Sequence, residues 1–363
     1  MMIKYRKNQL LAIAIEYGIL QTLSTIVVKR KNMVHTVYQT MKSLFTGFIY
    51  RLRIYKFPLC RFKEHIATDY RDLRRCTKES YLKTKKIIED FYFRARKIKR
   101  IKITIDGTFI GVWGNTYEHA SKMYSGNKKD RGKVGYTLVT CFDTTNKLPM
   151  SFEVPIIHEL HACVPLLKKV ISWEKEGLIA IDAIILDALY LNKEILDVLC
   201  EHRFIIRAPA QKWLLRFVDV RFVRGHKDIV LWGHNVTLYW KITTDKKEKY
   251  KLLVTNCNYD KIWRIYGHNK QMIENYHDDL KNELGIRNLP SRKFYPILVY
   301  FAMIILIYML ARALLLGINI NRISCGRILS IINHAETLKE VIVALRRAGT
   351  KLSKIAETIL ARG

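Results

Sequence analysis

The stretch that most constrains this chain is residues 101–110, IKITIDGTFI. Ile101, Ile103 and Ile105 alternate with Lys102 and Thr104, the period of a strand half buried in a sheet. The strand ends in a lone acid, Asp106, followed by Gly107 and Thr108. An acid at the tip of an apolar strand stands where a core meets a cleft. Turn formation before Gly107 is the competing reading.

More strands follow. GYTLVTCFD (135–143) and PMSFEVPII (149–157) flank the turn signal DTTNK. Residues 162–177 read as a helix stopped by Gly177. AIDAIILDALY (180–190) is a fourth strand and carries a second acid, Asp187. LNKEILDVLCEH is a second helix, and RFIIRAP a fifth strand ended by Pro209. The last two strands each follow a helix, which predicts a mixed sheet with right-handed parallel crossovers.

The remainder divides by texture. Residues 1–98 have helical spacing and clustered Arg and Lys, densest in RARKIKRIK, and predict a helical DNA-binding domain. A solvated basic face is the alternative for any single cluster. Residues 99–212 hold the strands and helices described above, the first part of an α/β core. Four strand-like runs in 213–257 (FVDVRFVRG, DIVLWGHN, VTLYWKIT, KYKLLVTNC) predict an all-β insertion. Residues 258–320 return to helix, with Ile273, Tyr276, Leu280 and Leu284 as an apolar stripe. Residues 297–311 are apolar without a break, yet fall short of the roughly 20 needed to cross a bilayer. A helix buried on all sides is the better reading. The tail, 321–363, reads as a basic amphipathic helix.

Charge narrows the partner. The chain has 63 Lys and Arg against 32 Asp and Glu, a formal net charge of +31. Such an excess implies a polyanion, with nucleic acid first and a membrane surface as the alternative. Seven cysteines are scattered without a CxxC pair, which fits a reducing compartment and speaks against structural zinc. No export signal is recognisable, so a cytoplasmic, nucleoid-associated protein is expected.

Phosphodiester chemistry usually needs Mg2+ or Mn2+, hard cations that take oxygen ligands. Two such ions can activate the attacking oxygen and stabilise the leaving one. The chain must then gather carboxylates from separate elements. Asp106 and Asp187 end strands that the mixed sheet can lay side by side. Glu274 lies on the later helix, with Asp278 and Lys281 on about the same face. Asp187 as a helix cap and Glu274 as a solvated face are the bland alternatives. His158, Glu159 and His161 spell HELH, which lacks the HExxH spacing of a zinc helix. The two histidines read as a satisfied loop pair, with Glu159 near the cleft because it follows the third strand. No GxxxxGK[ST] loop occurs.

The order Asp106, Asp187, Glu274 resembles DDE transposases of the IS4-like family. IDGT (105–108) is similar to their first-Asp strand, ILDALY (185–190) to the second, and FIIRAP (204–209) to the strand before the β insertion. The family's third signature is Tyr, two residues, Arg, three residues, Glu, six residues, Lys. Glu274 and Lys281 match it, Lys270 stands at the Arg position, and Gly267 takes the Tyr position with Tyr266 one residue early. The resemblance covers residues 100–315. It implies an RNase H-like α/β core, a mixed five-stranded sheet flanked by helices. It implies Mg2+ or Mn2+ on Asp106, Asp187 and Glu274, and cleavage and joining of DNA at terminal inverted repeats by a homodimer. Lys270 and Lys281, and more weakly Arg207, are candidate phosphate contacts. The basic loop 125–135 adds Lys128, Lys129 and Arg131. In related enzymes the insertion handles a hairpin or flipped base, so Trp232 and Trp240 are candidate stacking residues, with core strand aromatics as the alternative.

Overall fold

The computed structural model describes residues 73–114, 116–123, 132–244, 249–258 and 261–317. Most of the expected N-terminal helical domain, the basic tail, and Lys128, Lys129 and Arg131 lie outside the described residues. The chain divides into two compact units. One is built from Ile98–Phe109 and Thr137–Asn275; the other from the described parts of Met1–Lys97, Ile110–Tyr136 and Tyr276–Gly363.

The first unit is a mixed sheet flanked by helices. Its strands are β1 (Arg100–Gly111), β3 (Val134–Asp143), β4 (Leu148–Glu153), β5 (Ala180–Leu186), β6 (Phe204–Ala208), β7 (Arg224–Leu231), β8 (His234–Ile242) and β9 (Tyr250–Thr255). They lie in the order β4-β3-β1-β5-β6-β9-β8-β7. β1, β5 and β6 are parallel neighbours, while β3 and β4 form an antiparallel pair. This is the arrangement expected of an RNase H-like core. Between strands run α2 (Leu160–Lys175) and α3 (Lys193–Leu199), the two crossover helices. Asn192 caps α3 by accepting the Ile195 N–H at 2.9 Å. Gly177 ends α2 with φ +70°, a left-handed conformation open to glycine.

β1 departs from the half-buried expectation. Ile101, Ile103, Thr104 and Ile105 are all fully buried. A central parallel strand has both faces covered, so its polar positions are buried as well. Thr104 sits there with a hydroxyl that finds no partner. Opposite it, Ala183, Ile185 and Ile205 form one apolar cluster with Leu253 and with Ile262 of α5 (Ile262–Asp278). The DTTNK turn forms as read: Asp143 accepts the N–H groups of Thr145 and Asn146 at 2.8 and 3.0 Å.

The insertion does not stand apart as its own β layer. β9 pairs with β6, and β8 and β7 continue the same sheet outward. The first of the four strand-like runs is also mostly not a strand. Asp219 accepts the N–H of Arg221 at 3.1 Å and pairs with its guanidinium at 2.7 Å, a local bond pattern that turns the chain. Val220, Phe222 and Val223 are left exposed there.

In the second unit α1 (Lys78–Ala95) opens on a capping box between Thr77 and Ser80 and packs against α6 (Phe294–Gly317). The short β2 (Ser121–Lys122) pairs with the start of β3. By length and composition α6 is able to cross a membrane, but it is buried inside the structure, as its all-round apolar sequence predicts.

Candidate active site

The β1–β5 ladder ends at the pair Ile105 and Leu186. Asp106 and Asp187 each follow that last pair by one residue. Parallel pairing therefore brings the two acids side by side, as the sequence predicts, but only Asp187 stands at a strand end: β1 does not stop at Asp106 and runs on to Gly111 beside β3. Their side chains are 12% and 33% exposed, so both are largely shielded from open water.

A cation from α5 stands between them. The Lys270 Nζ lies 2.8 Å from Asp106 Oδ1 and 3.2 Å from Asp187 Oδ2. Burial works against the ammonium charge, but the two aspartates more than offset it and hold Lys270 protonated above its ordinary range. Asp187 is also buried enough to be pushed up, yet Lys270, the Ala188 N–H and Arg207 together bring it below the usual carboxylate range. It accepts the Ala188 N–H at 2.7 Å, so its capping and site roles coexist. Asp106 goes the other way. Burial outweighs Lys270, and repulsion from Asp187 and Glu274 adds to it, raising the carboxyl to about 6.

The α5 residues follow a four-residue spacing. Tyr266, Lys270 and Glu274 fall at i, i+4 and i+8 on one helical face. The Tyr266 hydroxyl is 3.4 Å from Asp187 Oδ1, while Gly267 is exposed and touches nothing. The tyrosine one residue early in the motif is thus the one that faces the aspartate. Glu274 is exposed, and acts on Asp106 through space. Among the described residues, no group of three His, Cys, Asp or Glu side chains converges closely enough to hold a metal ion. Lys281 falls in the wide π-helical turn Asp279–Glu283, where the 3.6-residue repeat behind the shared-face reading no longer applies.

A third buried acid lies at the site. Glu159, just before α2, accepts the Tyr190 hydroxyl proton and stands near enough to Asp106 to repel it. Burial, chiefly, raises its carboxyl. His158 and His161 are both exposed; His158 Nδ1 accepts the Leu160 N–H at 3.2 Å, as expected of a loop histidine, whereas His161 lies in α2 and not in a loop. The signal for Glu159 was its place directly after the third core strand. Its contact with Gly107 is invisible in sequence.

The two tryptophans separate. Trp240 is buried, donates its indole N–H to the Phe222 carbonyl at 3.2 Å and packs on Gly225, which belongs to a core residue. Trp232 is exposed at the β7–β8 turn, with φ +47° before Gly233 at +90°. A bulky residue with positive φ is unusual and marks a constrained turn. Trp232 and Trp213 lie 5.9 Å apart and line an open cleft of about 680 Å³ with Ala188, Leu189 and Pro209.

Two carboxylates, oxygen donors of the kind a hard divalent cation takes, converge on one positive charge, the Lys270 ammonium. The raised Asp106 carboxyl has a measurable consequence. A folded-state value near 6 against 3.8 means the proton is favoured by folding, so this group's stabilisation is complete below pH 4 and is lost as pH rises through 6. At 1.36 kcal/mol per unit it is worth about 3 kcal/mol. Melting temperatures taken in EDTA from pH 5 to 7.5 should fall more steeply for the wild type than for Asp106→Asn.

No curated protein matches the chain. Among solved structures, a cryo-EM structure of the piggyBac transposase synaptic complex with hairpin DNA is similar, at 13% identity and a TM-score of 0.49, covering 95% of this chain and 75% of that one. The family model of the transposase DDE domain matches residues 98–310, which is more than half of the chain and contains Asp106, Asp187 and Glu274. The chain therefore belongs to the transposase DDE domain family.

Proposed function

We propose that this protein is an active transposase of the IS4-like kind, which nicks DNA at the ends of its element and joins the freed 3′ hydroxyl to another strand. The reading is carried by one observation: two aspartates side by side just past the last pair of the parallel β1–β5 ladder, bridged by a lysine from the helix that bears Glu274. Asp106, Asp187 and Glu274 would hold Mg2+ or Mn2+. When bound, such an ion neutralises charge on the scissile phosphate and helps ionise the attacking oxygen. The chain's own residues position and neutralise. Lys270 and Arg207 set positive charge beside Asp187, where a phosphate would rest. Tyr266 limits how far Asp187 can swing.

The exposed Glu274 supports a second reading, a DNA-binding protein that has lost catalysis. One experiment separates them. The full chain is incubated with Mg2+ or Mn2+ and DNA carrying the inverted repeats that flank its gene. Metal-dependent nicking followed by joining to target DNA is expected. Binding without nicking would leave the second reading standing, and nicking without joining would mean a nuclease.

Trp232 is proposed to stack on an unpaired base at the cleft beside Ala188. Stacking of this kind is worth about 1–3 kcal/mol per base. Trp232→Ala should weaken binding to hairpin or single-stranded ends by roughly tenfold and leave duplex binding unchanged. Equal loss on both substrates would remove the stacking role.

A further inference from the structure

Asp106 and Asp187 lie just past the tip of the β1–β5 ladder, whose last pair is Ile105 and Leu186. β1 runs on through Asp106 to Gly111 with β3 on its other side, whereas β5 stops at Leu186. No β1–β5 ladder bond therefore fixes Asp187 against Asp106, and contacts that span the two set their spacing, because metal ligands placed loosely bind loosely.

Glu159 touches the neighbours of both acids. On one side its carboxylate accepts the hydroxyl proton of Tyr190. Tyr190 is fully buried and closes the single 3₁₀ turn, Ala188–Tyr190, that starts from Asp187. On the other side the same carboxyl group lies against Gly107, the residue after Asp106. A Cβ at position 107 would fall 2.4–2.6 Å from its atoms, closer than any side chain tolerates. Glycine there is what lets the carboxylate come so close. Glu159 precedes α2 with helical backbone angles and makes no capping bond with its side chain, which leaves the carboxylate to the contacts with Tyr190 and Gly107.

We propose that Glu159 and Tyr190 form a strap from β1 to the turn after β5 that sets the spacing of Asp106 and Asp187. Glu159 is then a positioning residue. It acts through Gly107 on one aspartate and through Tyr190 on the other. This rests on the assignment of Asp106 and Asp187 as metal ligands.

The test is Mn2+ affinity of the full chain, measured without DNA by titration calorimetry, with melting temperature in EDTA as a check on folding. Outer-shell partners of metal ligands typically contribute about 10–100-fold in affinity. Tyr190→Phe keeps the ring and removes only the hydroxyl, and should lower Mn2+ affinity at least tenfold. Glu159→Ala should do the same. Glu159→Gln keeps an oxygen that accepts the Tyr190 proton, and should restore affinity close to wild type. Wild-type affinity in Tyr190→Phe overturns the strap. So does an affinity in Glu159→Gln as low as in Glu159→Ala, because the carboxylate charge would then be what matters. Asp106→Asn separates the two levels. If it binds Mn2+ as well as wild type, the metal-site assignment fails and takes the strap with it. If it alone loses binding, only the strap fails.

Discussion

Asp106→Asn should abolish metal-dependent nicking of the element's ends while DNA binding persists. The substitution is nearly isosteric, so β1 keeps its shape there. What changes is charge. Asp106 is the more buried of the two aspartates and gives Lys270 its shorter bond, 2.8 Å against 3.2 Å for Asp187. An amide in its place offers a divalent ion a neutral oxygen only, or an N–H pointing the wrong way. A metal ion supplies several kcal/mol of charge stabilisation to a phosphoryl transition state. At about 1.4 kcal/mol per tenfold, its loss lowers the rate on the order of 10³-fold or more. DNA affinity rests instead on the distributed Lys and Arg behind the net charge of +31, so one neutralised acid leaves it intact or slightly raised. Nicking and gel-shift measurements on the same preparation check both halves. Glu274→Gln belongs in the same series. Its parent side chain is exposed and reaches Asp106 only through space. Nicking at the wild-type rate in that variant would remove Glu274 from the ligand set and leave the aspartate pair intact.

The sequence disclosed the two aspartates because strand periodicity and parallel pairing are both local and generic. Ile101, Ile103 and Ile105 announce β1, the run from Ala183 to Leu186 announces β5, and crossover helices force the two to run the same way. The register that aligns Ile105 with Leu186 then follows from where the apolar runs end. Other features depend on contacts that no spacing encodes. The Asp219–Arg221 turn overrode a β-branched alternation that had every local mark of a strand. The insertion strands joined the main sheet because β9 found the open edge of β6, a tertiary choice. Glu159 reached the site by lying against a glycine 52 positions earlier and under a tyrosine 31 positions later. The α5 face was half legible. A motif template placed Gly267 at the tyrosine position, whereas a plain count of four along the helix links Tyr266, Lys270 and Glu274. Helix geometry is a better guide here than the spacing of the signature, since side chains meet by angle.

The same geometry makes Lys270 the residue on which metal-free folding depends. Lys270→Met keeps an apolar stem and removes the ammonium that lies between Asp106 and Asp187. Removing one partner of a buried ion pair costs about 3–5 kcal/mol, because the remaining charge stays desolvated. Here two carboxylates lose their shared cation, though Asp187 keeps the Ala188 N–H and Arg207. In EDTA at pH 7.5 the variant should therefore melt on the order of 10 °C below wild type. Between pH 7.5 and 5 the pH effect follows from Asp106. Burial raises its carboxyl to about 6 even with Lys270 beside it, so without the ammonium it takes up a proton readily as pH falls. That protonation relieves the repulsion that Lys270→Met leaves uncompensated, whereas the contribution of Asp187, held below 3.8, is lost only at more acid pH. The deficit should accordingly be greatest near pH 7.5 and shrink toward pH 5. A divalent ion should close it from the other side. A ligand at 100 times its Kd stabilises by about 2.7 kcal/mol. In wild type some of that gain is spent displacing the ammonium, whereas in the variant the two carboxylates meet the ion directly. Mg2+ should thus raise the melting temperature of Lys270→Met more than that of wild type. An equal response in the two proteins would mean that lysine and metal do not share a place, and the two-aspartate site would have to be redrawn around a cation bound elsewhere.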